Sequence, residues 1–356
     1  MSKGKTVFIL GAGATRGCSF VAKMKNQGRC LPPLDGDFFT QLQRVSNRCH
    51  ADRINRLISG LTEWFGTNFV LSMEQVFCHF EHAERLSQHL GQEDKQVHQK
   101  VVALRKDLEQ SIALILGESL TEVKDGGTGS YRTRECTWHD KLVSDLAEPG
   151  DAFINFNYDC VLDDSLARKG KGKWDAHYGY GFKLKAKGKG LAGHEAWTPE
   201  SLEPNRKDAS IRVHKVHGSL HFMVSGDEIS LKQRPYANPR GGDMRFKIIP
   251  PESSKAYDDD GIIGNVMKNA YKDLRSASRV VVIGYSLPPS DQHAEALLRF
   301  GVKKDAIGSL VIVNPDRIAR RRLRSALQRG MHSTTKVHSF DYLSEFVQAD
   351  PAIWKV

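Results

Sequence analysis

The chain contains no C-x-x-C pair. Its six cysteines, Cys18, Cys30, Cys49, Cys78, Cys136 and Cys160, are scattered over 356 residues. That is too thin for the disulfide framework of a small secreted domain, and it lacks the paired ligands of a structural zinc module. Reduced, mostly buried thiols are expected. Cys136-x-x-His139 and Cys49-His50 each bring two metal-type side chains together, but lone pairs of this kind arise incidentally, and no metal is expected. Also missing is any apolar run near the roughly 18 residues that a membrane helix needs, so no membrane association is expected. The first apolar stretch, Thr6 to Leu10, follows a basic start but ends at once in glycines, with no room for a signal-peptide h-region. It reads as the first strand of a cytoplasmic protein. There is no internal repeat, no extended low-complexity tail, and no zinc-finger, helix-turn-helix or RNP signature.

Hydrophobic residues make up 40% and charged residues 26% of the chain, the balance of a soluble globular protein long enough to bury a large core. The formal net charge is +10. Such a field suits an anionic ligand, a nucleic acid or an acidic partner, and charge alone does not choose among them.

Five short aliphatic runs stand out: Val7–Leu10, Phe153–Phe156, Ile211–Val216, Val280–Ile283 and Leu310–Val313. Several are apolar at nearly every position, which suits strands covered on both faces. Between the last two, Ala294, Leu297 and Leu298 share one face of a helical stretch over Gln292–Phe300, which completes a βαβ unit. The expected fold class is α/β, a Rossmann-like parallel sheet flanked by helices in a single domain spanning 1–356. Residues 38–120 switch to helical spacing (Leu57, Leu61 and Trp64; Met73, Val76, Phe77 and Phe80; Val101, Leu104, Leu108, Ile112 and Ile115) and read as a helical insertion. Residues 169–208, rich in glycine and lysine, read as a mobile loop or small subdomain.

In an open α/β sheet, ligands bind beyond the carboxyl ends of the strands. The segments that follow the five runs are Gly11-Ala12-Gly13-Ala-Thr15, Asn157-Tyr-Asp159, His217-Gly218, Gly284-Tyr-Ser286 and Asn314-Pro-Asp316. Each run thus gives way to a glycine or a compact polar group. Glycines after the first strand let a backbone approach a pyrophosphate at a helix N-terminus; a tight strand-to-helix turn with no ligand is the alternative. Gly17 falls one position late for the usual dinucleotide fingerprint, and no strand ends in an acidic residue some twenty positions on, as a dehydrogenase would require. Asn157 and Asp159 also suit the cap of a helix beginning near Cys160. His214 and His221 rival His217, which is favoured by its place at a strand end.

Taken in order, these segments resemble the sirtuin motifs. Gly11-Ala12-Gly13-Ala-Thr15 looks like the sirtuin phosphate-binding start, with threonine for the usual serine. Phe156-Asn157-Tyr158-Asp159 resembles the segment facing nicotinamide, and Val216-His217-Gly218 the segment carrying the catalytic histidine. Gly284-Tyr285-Ser286-Leu287-Pro288 and Val311-Ile312-Val313-Asn314 resemble the later motifs. The zinc-module cysteines of the deacylases are absent, and Pro32 to Phe39 is a loose counterpart of their Gly-Ile-Pro-Asp-Phe-Arg stretch without its arginine. The pattern is similar to the sirtuin-like NAD hydrolases of bacterial anti-phage defence.

That resemblance implies an NAD+ glycohydrolase with NAD+ as substrate. Asn157 and His217 would be catalytic, Asp159 would meet the carboxamide, Gly11, Ala12, Gly13, Thr15, Gly284 and Ser286 the phosphates, and Asn314 the adenosine ribose. It also implies a homo-oligomer or a regulatory partner such as a helicase-like ATPase or a short Argonaute, with any nucleic-acid contact indirect. The rivals are an NAD-dependent protein deacylase or ADP-ribosyltransferase, and a non-catalytic NAD-sensing or nucleic-acid-associated module. The basic residues Arg317, Arg320, Arg321, Arg322 and Arg324 fit solvated surface, a partner interface or nucleic-acid contact.

Overall fold

Strand segments with valine, isoleucine, leucine or phenylalanine at nearly every position have no face to offer water. In the computed structural model they form the middle of one sheet. Its described residues are 4–88, 95–123, 131–174, 179–180, 196–197, 211–225, 228–232, 235–236, 242–251 and 261–355. The strands are β1 (Thr6–Leu10), β2 (Ala152–Asn155), β3 (Arg212–Lys215), β4 (Arg279–Ile283), β5 (Ile307–Val313) and β6 (Met331–Phe340). All pair in parallel, in the order β6-β5-β4-β1-β2-β3. The chain winds outward from β1 to β3, then restarts at β4 on the other side of β1. This is the doubly wound order, and its switch point falls between β1 and β4. Phe8 stands opposite Val281 and Phe153 in register, and its ring stacks on Phe153 at 4.9 Å.

The five expected runs are all strands, with small shifts of boundary. Phe156 lies beyond the end of β2 instead of closing it, and β5 starts three residues earlier, at Ile307. The sixth strand was not expected. Met331–Phe340 is mostly polar and half of it is exposed, as in an edge strand with one open side, so an apolar-run criterion passes over it.

The flanking helices are α1 (Ala12–Arg16), α2 (Ala51–Phe65), α3 (Met73–Gln88), α4 (Lys95–Leu120), α5 (Val161–Lys169), α6 (Gly261–Arg275), α7 (Gln292–Gly301) and α8 (Arg317–Leu327). β4, α7 and β5 make the expected βαβ unit, with Ala294, Leu297 and Leu298 buried. Residues 38–120 are helical through Phe38–Leu42, α2, α3 and α4. Leu57, Leu61, Val76, Phe77, Phe80, Leu104, Leu108 and Ile112 form one buried cluster with Cys18, Val21, Cys160 and Val161. The helical segment therefore packs on the chain that follows β1 and β2. Of 169–208 only a few residues are described, and the Gly/Lys run at 183–190 lies outside them. Among the described residues, no helix is long and apolar enough to cross a membrane.

At the amino end of the sheet, Asp273 on α6 bonds His214 Nε2 at 2.7 Å, Arg212 Nε at 2.8 Å and Lys5. Burial would raise this carboxyl, yet His214, Arg212 and Lys5 hold it well below the usual carboxylate range. A depressed folded value stabilises the protein above about pH 4 and loses that contribution as pH falls. Asp273→Asn should therefore cost about 2 kcal/mol at pH 7 and flatten the acid side of the stability curve. Urea unfolding from pH 7 to 3 checks this. An acid slope unchanged from the parent protein would refute it.

Candidate functional site

The segments leaving the sheet's carboxyl edge meet in a cavity of about 690 Å³ at the switch point. It is lined by Gly11, Ala12, Gly13 and Thr15 after β1, Asn157 and Asp159 after β2, and His217 after β3. Gly284 and Ser286 after β4 and Asn314 after β5 complete the set. The structure thus brings all ten residues singled out by sequence to one place, and their side-chain partners define what each can do there.

The glycines have a packing reason of their own. The Gly11 amide bonds Ile283 O at 3.0 Å and the Gly13 amide bonds Gly284 O at 2.8 Å, so the turns after β1 and β4 touch. A Cβ on Gly284, at φ +61°, would sit 2.1 Å from Ala14 N, and one on Gly13 would sit 2.7 Å from Gly284 O. These positions need glycine with or without a ligand. Because Ala14 N also bonds Gly11 O, the expected phosphate contact through amides after Gly11 narrows to that of Ala12, an exposed residue. Gly284→Ala should cost about 2–3 kcal/mol, since rigid backbone cannot yield and the left-handed φ adds strain. A thermal melt matching that of the parent would contradict this.

Asn157 heads a buried chain of hydrogen bonds. Its Nδ2 donates to Gly11 O at 3.0 Å and to Thr15 Oγ1 at 3.2 Å, and Thr15 Oγ1 donates to Asp159 Oδ2 at 2.7 Å. Both amide hydrogens of Asn157 are consumed, so it presents only Oδ1, an acceptor. The Thr15 proton is likewise committed, which removes this hydroxyl as the expected phosphate donor. Asp159 Oδ1 accepts from Val161 N at 3.0 Å at the start of α5, so the helix-capping alternative holds for Asp159. Asn157 makes no such bond. The Asn314 side chain bridges Tyr285 O (3.0 Å) and Asp316 N (2.9 Å) and so ties together the turns after β4 and β5. Ser286 is exposed on the rim.

His217 is 6% exposed, and Gly218 beside it turns at φ +74°. Its ring meets Phe156 edge-on at 5.1 Å, and Phe156 stacks flat on Tyr285 at 4.3 Å. Asp291 Oδ2 lies 3.3 Å from His217 Nε2. The same carboxylate accepts the Tyr285 hydroxyl at 2.8 Å and, through Oδ1, Ala294 N at the start of α7. The rival histidines lie elsewhere. His214 is buried in β3 on Asp273, and His221 is buried against Ser219 and Cys160, with burial lowering it to about 4.

No protein-family model and no curated protein matches this chain.

Sequence reasoning missed Asp291, which reads only as a helix cap before Gln292 and is one. It also missed the cavity wall supplied by Met73, Glu74, Ile112 and Leu116 of the helical segment. Their pattern signalled helix packing and nothing more. Pro32 to Asp35 line the cavity as well. Arg16 clamps that loop by bonding Pro32 O and Asp37, so an arginine does hold it, from α1. Of the basic residues on α8, Arg322 faces the cavity, Arg320 bonds Asn314 O and Phe340 O, and Arg317, Arg321 and Arg324 are exposed.

Proposed function

We propose that the cavity binds NAD+ and that the protein hydrolyses its nicotinamide–ribose bond, releasing nicotinamide and ADP-ribose. One observation carries this reading. The His217–Asp291 pair and the free Oδ1 face of Asn157 share a cavity at the topological switch point, where dinucleotides sit in doubly wound sheets. Its volume of about 690 Å³ falls within the range of about 300–1,000 Å³ typical of small-molecule sites. The five motifs in sirtuin order point the same way.

The chemistry asks for few groups. The C1′–N bond breaks with its electron pair going to nicotinamide, which leaves neutral, so no acid is needed on the leaving side, unlike in most glycosidases. The ribose passes through an oxocarbenium-like state and is attacked at C1′ by water. Asn157 Oδ1 accepts a hydrogen bond from that water or from a ribose hydroxyl. His217 takes the proton, and Asp291 offsets the charge the imidazole gains. Ser286, the Ala12 amide and Arg322 on the cavity wall are the groups offered to the pyrophosphate, in keeping with a basic chain.

Unregulated destruction of NAD+ would kill a cell, so a trigger belongs to the proposal. Self-assembly or a partner such as a helicase-like ATPase or a short Argonaute would supply it, in an anti-phage setting. The test is to incubate the protein with NAD+, alone over a range of concentrations and with candidate partners, and to separate the products. ADP-ribose and nicotinamide in equal amounts are expected, and Asn157→Ala should abolish them. O-acyl-ADP-ribose or labelled protein would mean transfer instead, and unchanged NAD+ under every condition would sink the reading.

A further inference from the structure

Behind the Asn157–Thr15–Asp159 chain, three buried side chains from distant segments meet. Cys18 follows α1, while Cys136 and His139 open the short helix Thr137–Lys141. His139 Nδ1 lies 3.2 Å from Cys136 Sγ and 3.7 Å from Cys18 Sγ. All three donor atoms fall within 4.8 Å of one another, and the residues are 4%, 0% and 1% exposed for Cys18, Cys136 and His139.

We propose that Cys18, Cys136 and His139 form a zinc site. With Zn–S near 2.3 Å and Zn–N near 2.0 Å, tetrahedral geometry sets nitrogen and sulfur ligands about 3.5 Å apart. The two N···S separations bracket that value. One ring nitrogen faces both sulfurs, as a metal ligand does, whereas a simple thiol–imidazole hydrogen bond needs only one. The donor set suits a soft-accepting d¹⁰ cation. Two thiolates cancel the charge of Zn2+, so the filled site is neutral and avoids the cost of a buried net charge. Among the described residues the group has three members, and the fourth corner falls to a water.

Zinc here would staple the loop after α1 to the helix preceding β2. The two segments already touch, because Thr137 N donates to Ser19 Oγ at 3.1 Å. Cys18 Sγ also faces Ala14 O at 3.9 Å, next to Thr15. The metal would thereby brace the chain that holds Asn157 without entering the cavity. Sequence reasoning expected no metal because Cys136-x-x-His139 is only half a site. Its third ligand, Cys18, lies far upstream, in the loop that follows α1.

The test uses the full chain, reduced, stripped with a chelator and titrated with Co2+. One Co2+ per chain is expected, with thiolate charge-transfer absorption and the visible bands of tetrahedral cobalt. Zn2+ should bleach both and raise Tm. Cys136→Ser and His139→Ala should each weaken binding by at least about 10-fold, while Cys49→Ser should change nothing. X-ray absorption of the zinc-loaded parent protein gives an answer even if those variants fail to fold, and two sulfurs and one nitrogen in the metal's shell are expected. Coordination without sulfur, no charge-transfer band in the parent protein, or cobalt affinity and band intensity unchanged in Cys136→Ser would each overturn the site.

Discussion

Under the proposed hydrolysis of NAD+, His217→Ala should lower the rate of cleavage by about 10²–10⁴-fold, the usual contribution of a positioned general base, with NAD+ affinity retained. In the proposed reaction the loss falls on the water-activating side, because nicotinamide needs no proton to leave. Asp291→Asn separates chemistry from packing. Asparagine can keep its Oδ1 on Ala294 N and so cap α7, but its amide nitrogen then stands where Oδ2 accepted the Tyr285 hydroxyl, which must turn to accept instead, and no charge remains to offset an imidazolium. A fall in rate of about 10²–10⁴-fold is expected, with a stability loss limited to the one rearranged hydrogen bond, about 1 kcal/mol. Product formation over a pH series, with NAD+ affinity measured in parallel, checks both variants. If His217→Ala kept more than a tenth of the parent rate, the base would have to be sought elsewhere.

How far the sequence reveals the molecule depends on what each residue's partners are. β1, β2, β4 and β5 are legible because strands covered on both faces must be apolar throughout, and no helix of that length and composition competes. β6 is not, because its open edge tolerates His332, Ser333, Thr334 and Thr335. The residues at the strand ends are legible as a set, since the doubly wound topology puts every one of them at the same edge. Their individual roles are less so. Nothing in Gly11-Ala-Gly13-Ala-Thr15 discloses that Gly13 is needed by Gly284, or that the Thr15 proton goes to Asp159. Asp291 illustrates the limit most clearly. Its helix-capping role is local and readable, whereas its position beside His217 is set by how β3 and the β4–α7 turn converge, which no local pattern encodes.

Lys215 was hidden for a related reason, and its removal should cost more stability than either Asp273→Asn or Gly284→Ala. It sits in β3 with almost no solvent exposure, a place where a lysine is tolerated only if its charge is matched. Its Nζ bonds Asp159 O and lies 3.3 Å from Asp163 Oδ2, and Asp163 also accepts the Tyr180 hydroxyl at 2.5 Å. Burial works against both charges, but each holds the other ionised: Lys215 is raised and Asp163 lowered from their ordinary values. Lys215→Met would leave the Asp163 carboxylate buried without its counter-ion, at a cost of about 3–5 kcal/mol. The double variant with Asp163→Asn, which leaves no charge stranded, should recover a large part of that loss. Urea unfolding of the two singles and the double gives the coupling directly. Additive losses, or a Lys215→Met variant within about 1 kcal/mol of the parent, would mean that the pair does not carry the weight its burial implies. Because the same ammonium, two residues before His217 in the chain, also grips the carbonyl of Asp159, the single variant should loosen the Asn157 chain as well. Residual cleavage should then fall even at temperatures where the variant remains folded.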